Sequence, residues 1–498
     1  MPIPFSSFLP NRSLKFAVAL SGILCLNQVP TATAQYQLKV SPNKRFILKE
    51  NGQPFFYLGD TAWELFHRLN REEADTYLQD RANKGFTVIQ AVVLAELNGL
   101  HDPNPYGQIP LVNDDPTKPN EEYFKHVDYI VNKAQELGLY IGMLPTWGDK
   151  VFKNTWGVGP EIFNPQNARV YGEFIGKRYA NKPIIWILGG DRNPRNEADV
   201  AIWRAMAQGI IAGAGGKDNT LITYHPQPKE KGGSSTWFHN EDWLDFNMFQ
   251  TGHCRNSNVY EKIAHDYNLT PVKPTMDGEP IYEDHPVCFN ANDLGYSAAY
   301  DVRRAAYLDL FAGAHGHTYG CHSVWQMYAP NRKPVNGPLK PWSESLDLPG
   351  AWDMTHVRAL MESRPILDRV PDQTLLTTDN FAEGDRIQAT RGKDYLFVYT
   401  NTGRPFTLNM GKISGKQVKG FWYDPCEGTS KAIESMDNRG NKEFTPPSNG
   451  VDKDWVLILD DASKNYTSPV VSESACKATG NIILEHWQAI SGRAVSAI

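Results

Sequence analysis

Short apolar runs alternate with amphipathic stretches over most of the chain. Such runs are typical of strands buried on both faces, and the stretches between them repeat apolar positions at helical spacing. The predicted strands lie at residues 55–60, 87–93, 139–147, 184–190, 220–224, 246–249, 274–279 and 316–320. The predicted helices lie at about 70–85, 120–137, 164–179, 197–212, 257–267, 293–311 and 352–362.

Eight strands alternating with helices predict an α/β fold class, namely a (β/α)8 TIM barrel. A doubly wound open sheet also alternates, but it would carry a glycine-rich phosphate-binding turn after its first strand. The first strand here ends in Gly59-Asp60-Thr61, which favours the barrel. After residue 371 the pattern changes to short alternating strands, at 386–390, 395–399, 417–423 and 455–459. This change predicts a small C-terminal β-sandwich.

The sequence predicts a division of the chain into four segments. Residues 1–34 carry Arg12 and Lys15 before an apolar run and an Ala-Thr-Ala site, which predicts a cleaved signal peptide and a secreted or periplasmic protein. The catalytic barrel is expected at 35–370, the β-sandwich at 371–465, and an unassigned tail at 466–498. We expect no transmembrane segment in the mature chain, since no other stretch is apolar enough.

Charge and cysteine content narrow the possible partners. The net charge of −6 is evenly spread, which argues against nucleic acid or an anionic membrane as partner. The mature chain keeps five cysteines, an odd number without repeated spacing, so no disulfide framework is predicted; they are Cys254, Cys288, Cys321, Cys426 and Cys476. Zinc-type spacings are missing from the sequence, so we expect neither a metal nor a cofactor. The sequence leaves the oligomeric state open.

Two carboxylates stand at the ends of predicted strands four and seven. Asp191 follows Gly189-Gly190, and Glu279 lies between Gly278 and Pro280. In a parallel barrel the carboxyl ends of the strands meet at one mouth, so the two side chains are predicted to face each other there. Cleavage of a glycosidic bond needs such a pair: one acid protonates the leaving oxygen, and the other, ionised, attacks the anomeric carbon or activates water.

Other residues at strand ends compete with this pair or add to it. Asp60, Glu96, Glu283 and Asp284 are competing carboxylates, and Asp191 itself has the alternative of capping the next helix. Aromatic side chains near strand ends are candidates to stack on sugars, and polar ones to bind hydroxyl groups. The predicted substrate-binding residues are Asp60, Trp63, Glu96, Trp147, Arg192, Asn193, His225, Gln250, His253, Tyr282, Glu283, His317, Tyr319 and Trp325.

Four stretches carry a resemblance to a known family. They are residues 48–64 (LKENGQPFFYLGDTAWE), 186–193 (WILGGDRN), 277–283 (DGEPIYE) and 316–326 (GHTYGCHSVWQ). Together they resemble the apiosidase-like glycoside hydrolases, family 140, over most of residues 36–370. The C-terminal part resembles the domain that accompanies them, which is labelled collagen-binding. The resemblance implies a (β/α)8 barrel plus β-sandwich, with Asp191 as the acid/base and Glu279 as the nucleophile.

The resemblance also implies an activity. It predicts a secreted glycoside hydrolase that cleaves apiose-linked side chains of the pectin rhamnogalacturonan II, with a plant cell-wall oligo- or polysaccharide as partner. A glycosidase acting on another plant polysaccharide linkage is one alternative, and a non-catalytic carbohydrate- or matrix-binding protein is another. The placement on strands four and seven favours retention of configuration, whereas the short Asp191 side chain favours inversion. We predict retention through a glycosyl–Glu279 intermediate.

Overall fold

A computed structural model of the protein describes residues 36–153, 156–379, 381 and 383–469. The predicted signal peptide at 1–34, Cys476 and most of the predicted tail lie outside these described residues. Among the described residues, no helix combines the length and apolar character needed to cross a membrane. The predicted segment bounds at 35, 370 and 465 stay predictions.

A three-stranded antiparallel sheet precedes the barrel, with Asn51-Gly52 between its second and third strands. Its strands are β1 (Leu38–Val40), β2 (Ile47–Lys49) and β3 (Pro54–Phe55). The predicted first barrel strand at 55–60 is therefore divided at Phe56 between β3 and the barrel strand that follows.

Eight parallel strands form the barrel and confirm the predicted fold class. They are β4 (Tyr57–Thr61), β5 (Val88–Leu94), β6 (Tyr140–Thr146), β7 (Ile184–Gly189), β8 (Ile222–His225), β9 (Asn247–Gln250), β10 (Thr275–Glu279) and β11 (Gly316–Tyr319). Six of them pair in the order β11-β4-β5-β6-β7-β8, and β9 pairs with β10. Hydrogen bonds from Asp245 N to Ile222 O (2.8 Å) and from His315 N to Thr275 O (3.0 Å) join the two groups. The strands are buried almost throughout, as continuous apolar runs predict.

The helices lie close to their predicted ranges, although the last one begins at Pro349 and not at about 352, and one is divided. Asn70 and Asn164 each form a capping box at the start of a helix. The long helix predicted at 293–311 is divided, because Gly295 adopts a φ of +68° and ends its first part. The helices are α1 (Leu65–Arg68), α2 (Arg71–Asn83), α3 (Glu121–Glu136), α4 (Pro165–Arg178), α5 (Glu197–Gly213), α6 (Ser235–Phe238), α7 (Val259–Tyr267), α8 (Ala291–Leu294), α9 (Ala299–Ala312), α10 (His322–Trp325) and α11 (Pro349–Glu362).

The helices on either side of β7, α4 and α5, pack unusually closely. A Cβ atom added to Gly172 would lie 2.4 Å from Met206 O, and one added to Gly209 would lie 2.2 Å from Arg169 O. Only glycine permits this approach, which brings the backbones of α4 and α5 together.

Two antiparallel sheets form the C-terminal part. Their strands are β12 (Val370–Pro371), β13 (Ile387–Arg391), β14 (Tyr395–Thr400), β15 (Phe406–Asn409), β16 (Gln417–Asp424), β17 (Thr429–Asp437), β18 (Asn441–Phe444) and β19 (Trp455–Asp461). Six pair in the order β12-β13-β14-β19-β16-β17, and β15 pairs with β18. The larger sheet packs on the barrel: Tyr399 stacks on Tyr307 of α9 at 4.9 Å, and Arg303 of α9 binds Asp454 at 2.8 Å.

Candidate active site

The end of β7 turns sharply into the mouth of the barrel. Gly189 and Gly190 have φ values of +93° and +94°, and Asp191 follows at +56°. A Cβ atom on Gly189 would lie 2.3 Å from His225 O, so the backbone passes where no side chain fits. Left-handed backbone at a non-glycine residue is uncommon, is best tolerated by Asp and Asn, and is frequent at functional sites. The glycine pair therefore presents Asp191 at the strand tip.

The Asp191 carboxyl group is buried, with 9% of the residue exposed. Its Oδ2 accepts a hydrogen bond from Trp156 Nε1 at 2.8 Å, and its Oδ1 has no partner among the described residues. Burial, together with the negative charge of Glu279, raises the pKa of Asp191 to about 6. A carboxyl group with this pKa holds its proton in weakly acidic solution.

The carboxylate of Glu279 lies at the end of β10 among donors. Tyr282 donates its hydroxyl proton to Oε1 at 2.6 Å, His253 Nε2 lies 3.5 Å from Oε1, and His225 Nε2 lies 3.1 Å from Oε2. The backbone N–H of Glu279 is held by Asp277 Oδ1 at 3.0 Å. Burial alone would raise the pKa of Glu279, but the two imidazoles outweigh it and hold the pKa well below its usual range. Glu279 is therefore ionised.

One cavity of about 370 Å³ contains both carboxyl groups. It opens at the carboxyl ends of the barrel strands, where enzymes of this fold place their active sites. Its lining residues are Trp63, Glu96, Trp147, Trp156, Asp191, Pro228, Gln250, Gly252, His253, Glu279, Tyr282, His285, Phe289, Trp325, Val335 and Asn336. Nine of the sixteen residues predicted from the sequence are thus brought together: Asp191, Glu279, Trp63, Glu96, Trp147, Gln250, His253, Tyr282 and Trp325.

The cavity offers both apolar rings and unpartnered polar atoms. Trp63 and Trp147 pack together with ring centroids 5.4 Å apart. Trp147 Nε1, Gln250 Oε1 and His253 Nδ1 are buried without a hydrogen-bond partner among the described residues. Buried polar groups are almost always paired, so unpaired ones facing a cavity suit a ligand rich in hydroxyl groups.

Glu96 is a third carboxyl group in the cavity. Burial and the negative charge of Asp191 raise the pKa of Glu96 well above its usual value. In its neutral form it both donates and accepts hydrogen bonds, which suits it to bind a sugar hydroxyl.

Seven predicted residues do not line this cavity, and most are held by other protein groups. His225 lies against Glu279, as described above. The guanidinium group of Arg192 donates to the carbonyl oxygens of Phe152 and Asp191, at 3.1 and 2.7 Å. Further from the mouth, His317 Nδ1 lies 2.6 Å from Asp309 Oδ2. The seven are Asp60, Arg192, Asn193, His225, Glu283, His317 and Tyr319.

The competing carboxylates in strand one and after strand seven are also paired elsewhere. Asp60 forms a fully buried ion pair with Arg81 at 2.6 Å. Glu283 accepts the hydroxyl proton of Tyr319 at 2.6 Å and the N–H of Gly350 at 3.0 Å. Asp284 lies 3.8 Å from Lys340 Nζ. These contacts distinguish Asp60, Glu283 and Asp284 from the three carboxyl groups in the cavity, which the sequence does not do.

Sequence reasoning missed several residues of the cavity, among them Trp156 and Phe289, and it missed one disulfide. Trp156 and Phe289 lie in loops without a strand or helix pattern, and nothing in their spacing marks them. A disulfide between Cys254 and Cys288 joins the loop after β9 to the loop after β10, although the odd cysteine count predicted no framework. Among the described residues, Cys321 and Cys426 are free. The described part of the chain holds no group of three or more His, Cys, Asp or Glu arranged for a metal ion.

Comparisons with known proteins find matches over both parts of the chain. The family model described as "Apiosidase-like, catalytic domain" matches residues 41–368, and "Putative collagen-binding domain of a collagenase" matches residues 370–460. A solved structure described as a glycoside hydrolase is 37% identical, with a TM-score of 0.79, covering 87% of this chain and 98% of its own.

A second solved structure is described as a glycoside hydrolase of family 5 from Bacteroides vulgatus. It is 35% identical with a TM-score of 0.79, covering 87% of this chain and 94% of its own. None of the curated proteins compared matches the sequence. With a buried carboxyl pair in the mouth of its barrel and a family match over most of that barrel, this chain belongs to the apiosidase-like family and is a glycoside hydrolase.

Proposed function

We propose that the protein is a secreted, retaining glycosidase that releases apiose-linked side chains from rhamnogalacturonan II. One observation carries the reaction: two carboxyl groups share a cavity, and their surroundings move the pKa of Asp191 up and the pKa of Glu279 down. Pairs of titratable groups separated in this way divide into an acid and an ionised partner. The choice of sugar is supported by the family match over residues 41–368.

In the first step, protonated Asp191 acts as the general acid. Its proton passes to the leaving oxygen as the bond from that oxygen to the anomeric carbon breaks, and the bonding electrons stay on the oxygen. The ionised carboxylate of Glu279 forms the new bond to the anomeric carbon. Tyr282, His225 and His253 hold this carboxylate in place and keep it unprotonated.

In the second step, the same residues act in reverse. Asp191, now ionised, removes a proton from a water molecule, whose oxygen bonds to the anomeric carbon. The bond to Glu279 breaks and its electrons return to the carboxylate. Two displacements at one carbon restore its configuration.

The backbone of the strand-four tip supports retention. An aspartate is one methylene shorter than a glutamate, which would widen the gap between the carboxyl groups and favour inversion. The left-handed backbone from Gly189 to Asp191 offers a way to move the shorter side chain inward. Retention requires a separation of about 5–5.5 Å and inversion about 6.5–9.5 Å.

The disulfide between Cys254 and Cys288 supports secretion. Disulfides persist mainly in oxidising compartments, which agrees with the signal peptide predicted at residues 1–34.

The test is hydrolysis of rhamnogalacturonan II oligosaccharides by the full chain, followed by new reducing ends and by proton NMR of the first-formed anomer. We expect the released sugar to appear first with the configuration of the substrate. Opposite configuration would make Glu279 a base that activates water. Cleavage of other glycosides but not of this pectin would leave the hydrolase and remove the substrate. No cleavage of any glycoside, with retained polysaccharide binding, would favour the non-catalytic alternative.

A further inference from the structure

Two aromatic side chains at the mouth of the cavity are exposed, unlike the others that line it. Trp156 is 43% exposed and Phe289 is 63% exposed, whereas Trp63 is 1% and Trp147 is 2% exposed. Large apolar surfaces left open beside a cavity mark places that a ligand covers. Of the two, Trp156 makes direct contact with Asp191.

The indole of Trp156 is fixed although it is exposed. The indole Nε1 donates to Asp191 Oδ2 at 2.8 Å, and the backbone carbonyl oxygen of Trp156 accepts from Arg192 Nη2 at 2.5 Å. The Arg192 guanidinium carbon lies 5.5 Å from the centre of the ring, and this arginine is fully buried. Next along the chain, the N–H groups of Val158 and Gly159 both donate to Asp149 Oδ2 at 2.9 Å. A ring held in this way binds a ligand without first losing side-chain freedom.

The contact with Trp156 also distinguishes the two oxygens of Asp191. Oδ2 accepts the indole N–H, so in the protonated acid Oδ2 is the carbonyl oxygen and the proton lies on Oδ1. Oδ1 has no partner among the described residues. A general acid must lie within hydrogen-bond reach of the oxygen that it protonates. The leaving oxygen is therefore next to Oδ1, and the sugar ring attached to it is next to Trp156.

We propose that Trp156 forms a leaving-group subsite, where its exposed surface stacks on the first sugar ring beyond the cleaved bond and its N–H keeps the proton of Asp191 on Oδ1. This inference rests on glycoside hydrolysis by Asp191 and Glu279 as proposed above, and it does not depend on the sugar being apiose. Stacking of sugar on indole uses the apolar face of the sugar ring, and the N–H makes Trp156 a positioning residue for the acid.

The test compares two substrates that share the transferred sugar. One is the rhamnogalacturonan II oligosaccharide, and the other is apiosyl fluoride, whose leaving group has no ring to stack and needs little protonation. If the wild type releases another sugar, the fluoride of that sugar replaces apiosyl fluoride. We expect Trp156→Ala to lower kcat/KM about 10- to 100-fold on the oligosaccharide, the range of a lost hydrogen bond to a charged or reacting group. On the fluoride we expect a loss of less than about threefold.

Two further variants separate the parts of the proposal. Trp156→Phe keeps a ring but loses the N–H, so KM on the oligosaccharide should stay near wild type while kcat falls. The N–H lowers the pKa of Asp191, so its loss should raise that pKa. The alkaline limb of the pH–rate profile of Trp156→Phe should therefore move to higher pH. Trp352→Ala, at a tryptophan that is 37% exposed, packs on Lys84 and lies outside the cavity, is the matched control and should leave the ratio of the two substrates unchanged.

The outcomes are distinct. Equal losses on both substrates in Trp156→Ala, or no loss on either, would overturn the subsite. An unmoved alkaline limb in Trp156→Phe would overturn the positioning role. If the wild type cleaves neither the fluoride nor any glycoside, the proposed hydrolytic function itself is wrong. The wild-type assay alone gives this result, so it is distinct from the results for the variants. Because 43% of Trp156 is exposed, we expect both variants to melt near the wild-type temperature. If Trp156→Ala does not fold, Trp156→Phe still tests the positioning role.

Discussion

The tips of β7 and β10 are built alike but surrounded differently. Each is a buried strand that ends in glycine and then a buried carboxyl group, and both carboxyl groups line one cavity. Asp191 is buried beside the negative charge of Glu279, and both effects raise its pKa. Glu279 is buried as well, but the imidazoles of His225 and His253 outweigh its burial, so its pKa falls. The neighbours, rather than the residue types, therefore decide which carboxyl group holds its proton more tightly.

The two tips are also held in place by different means. Beside Asp191, buried Arg192 and Asp149 fix the loop through hydrogen bonds to its backbone. Beside Glu279, a disulfide joins the loop that carries His253 to the loop that carries Phe289. Polar contacts to the backbone therefore support the Asp191 side, and a covalent link across two loops supports the Glu279 side.

The largest effect is expected when each of the two carboxyl groups is replaced in turn by its amide. We expect Asp191→Asn and Glu279→Gln each to lower kcat by about 10³-fold or more, because acid and nucleophile act in the transition state. Steady-state kinetics on the oligosaccharide measures the loss, and circular dichroism checks the fold. Glu283→Gln is the control: this buried carboxyl group lies outside the cavity, so kcat should stay within about tenfold of wild type. Turnover near wild type in Asp191→Asn or Glu279→Gln would exclude that residue from the mechanism.

The pH dependence of kcat/KM in the unmodified protein tests the difference between the pKa values of Asp191 and Glu279. Asp191 must be protonated, so the rate should fall about tenfold per pH unit as the pH rises above about 6. Glu279 must be ionised, and because its pKa is lowered, the acid limb should lie below the value of about 4.3 for an ordinary glutamate. Rates from pH 3 to 9 at constant ionic strength test both limbs. A rate that rises between pH 6 and 8 would contradict the assignment of Asp191.

Removing one imidazole should bring the pKa of Glu279 closer to the pKa of Asp191. In His225→Gln the carboxylate of Glu279 loses a partner at 3.1 Å, so its pKa should rise and the acid limb should move up by about one pH unit. We expect a loss of about tenfold in kcat/KM near the acid limb. His253→Gln is the matched variant, with a longer contact of 3.5 Å and a smaller expected shift. An equal shift of the alkaline limb, with no change in the acid limb, would show that His225 acts on Asp191 instead.

The smallest effect on the rate is expected from the disulfide. Cys254→Ser combined with Cys288→Ser should lower the free energy of unfolding by about 2–4 kcal/mol, because the bridge closes a loop between residues 34 apart in sequence. Denaturant melts measure this change. Cys426→Ser, at an exposed thiol with no disulfide partner among the described residues, should leave stability unchanged. If the double variant is as stable as wild type, the bridge does not anchor these loops.

Much of the barrel follows from local patterns. Apolar runs of strand length, helix caps such as Asn70 and Asn164, and glycines at the ends of strands all act within a few residues of one another. Their physical effects are therefore readable along the chain. Even so, the helix predicted at 293–311 is divided at Gly295, where the backbone adopts a conformation that periodicity does not reveal.

By itself the sequence determined the eight alternating strands, the change to antiparallel strands near residue 371, and the positions of Asp191 and Glu279 at strand ends. Only the tertiary structure decided which carboxylates are paired elsewhere, as Asp60 is with Arg81. It also decided that His225 faces Glu279, that Trp156 faces Asp191, and that Cys254 pairs with Cys288. The reason is physical: a side chain's pKa and partners depend on atoms a few ångströms away, and in these four pairs the partner lies 21 or more positions away in the sequence.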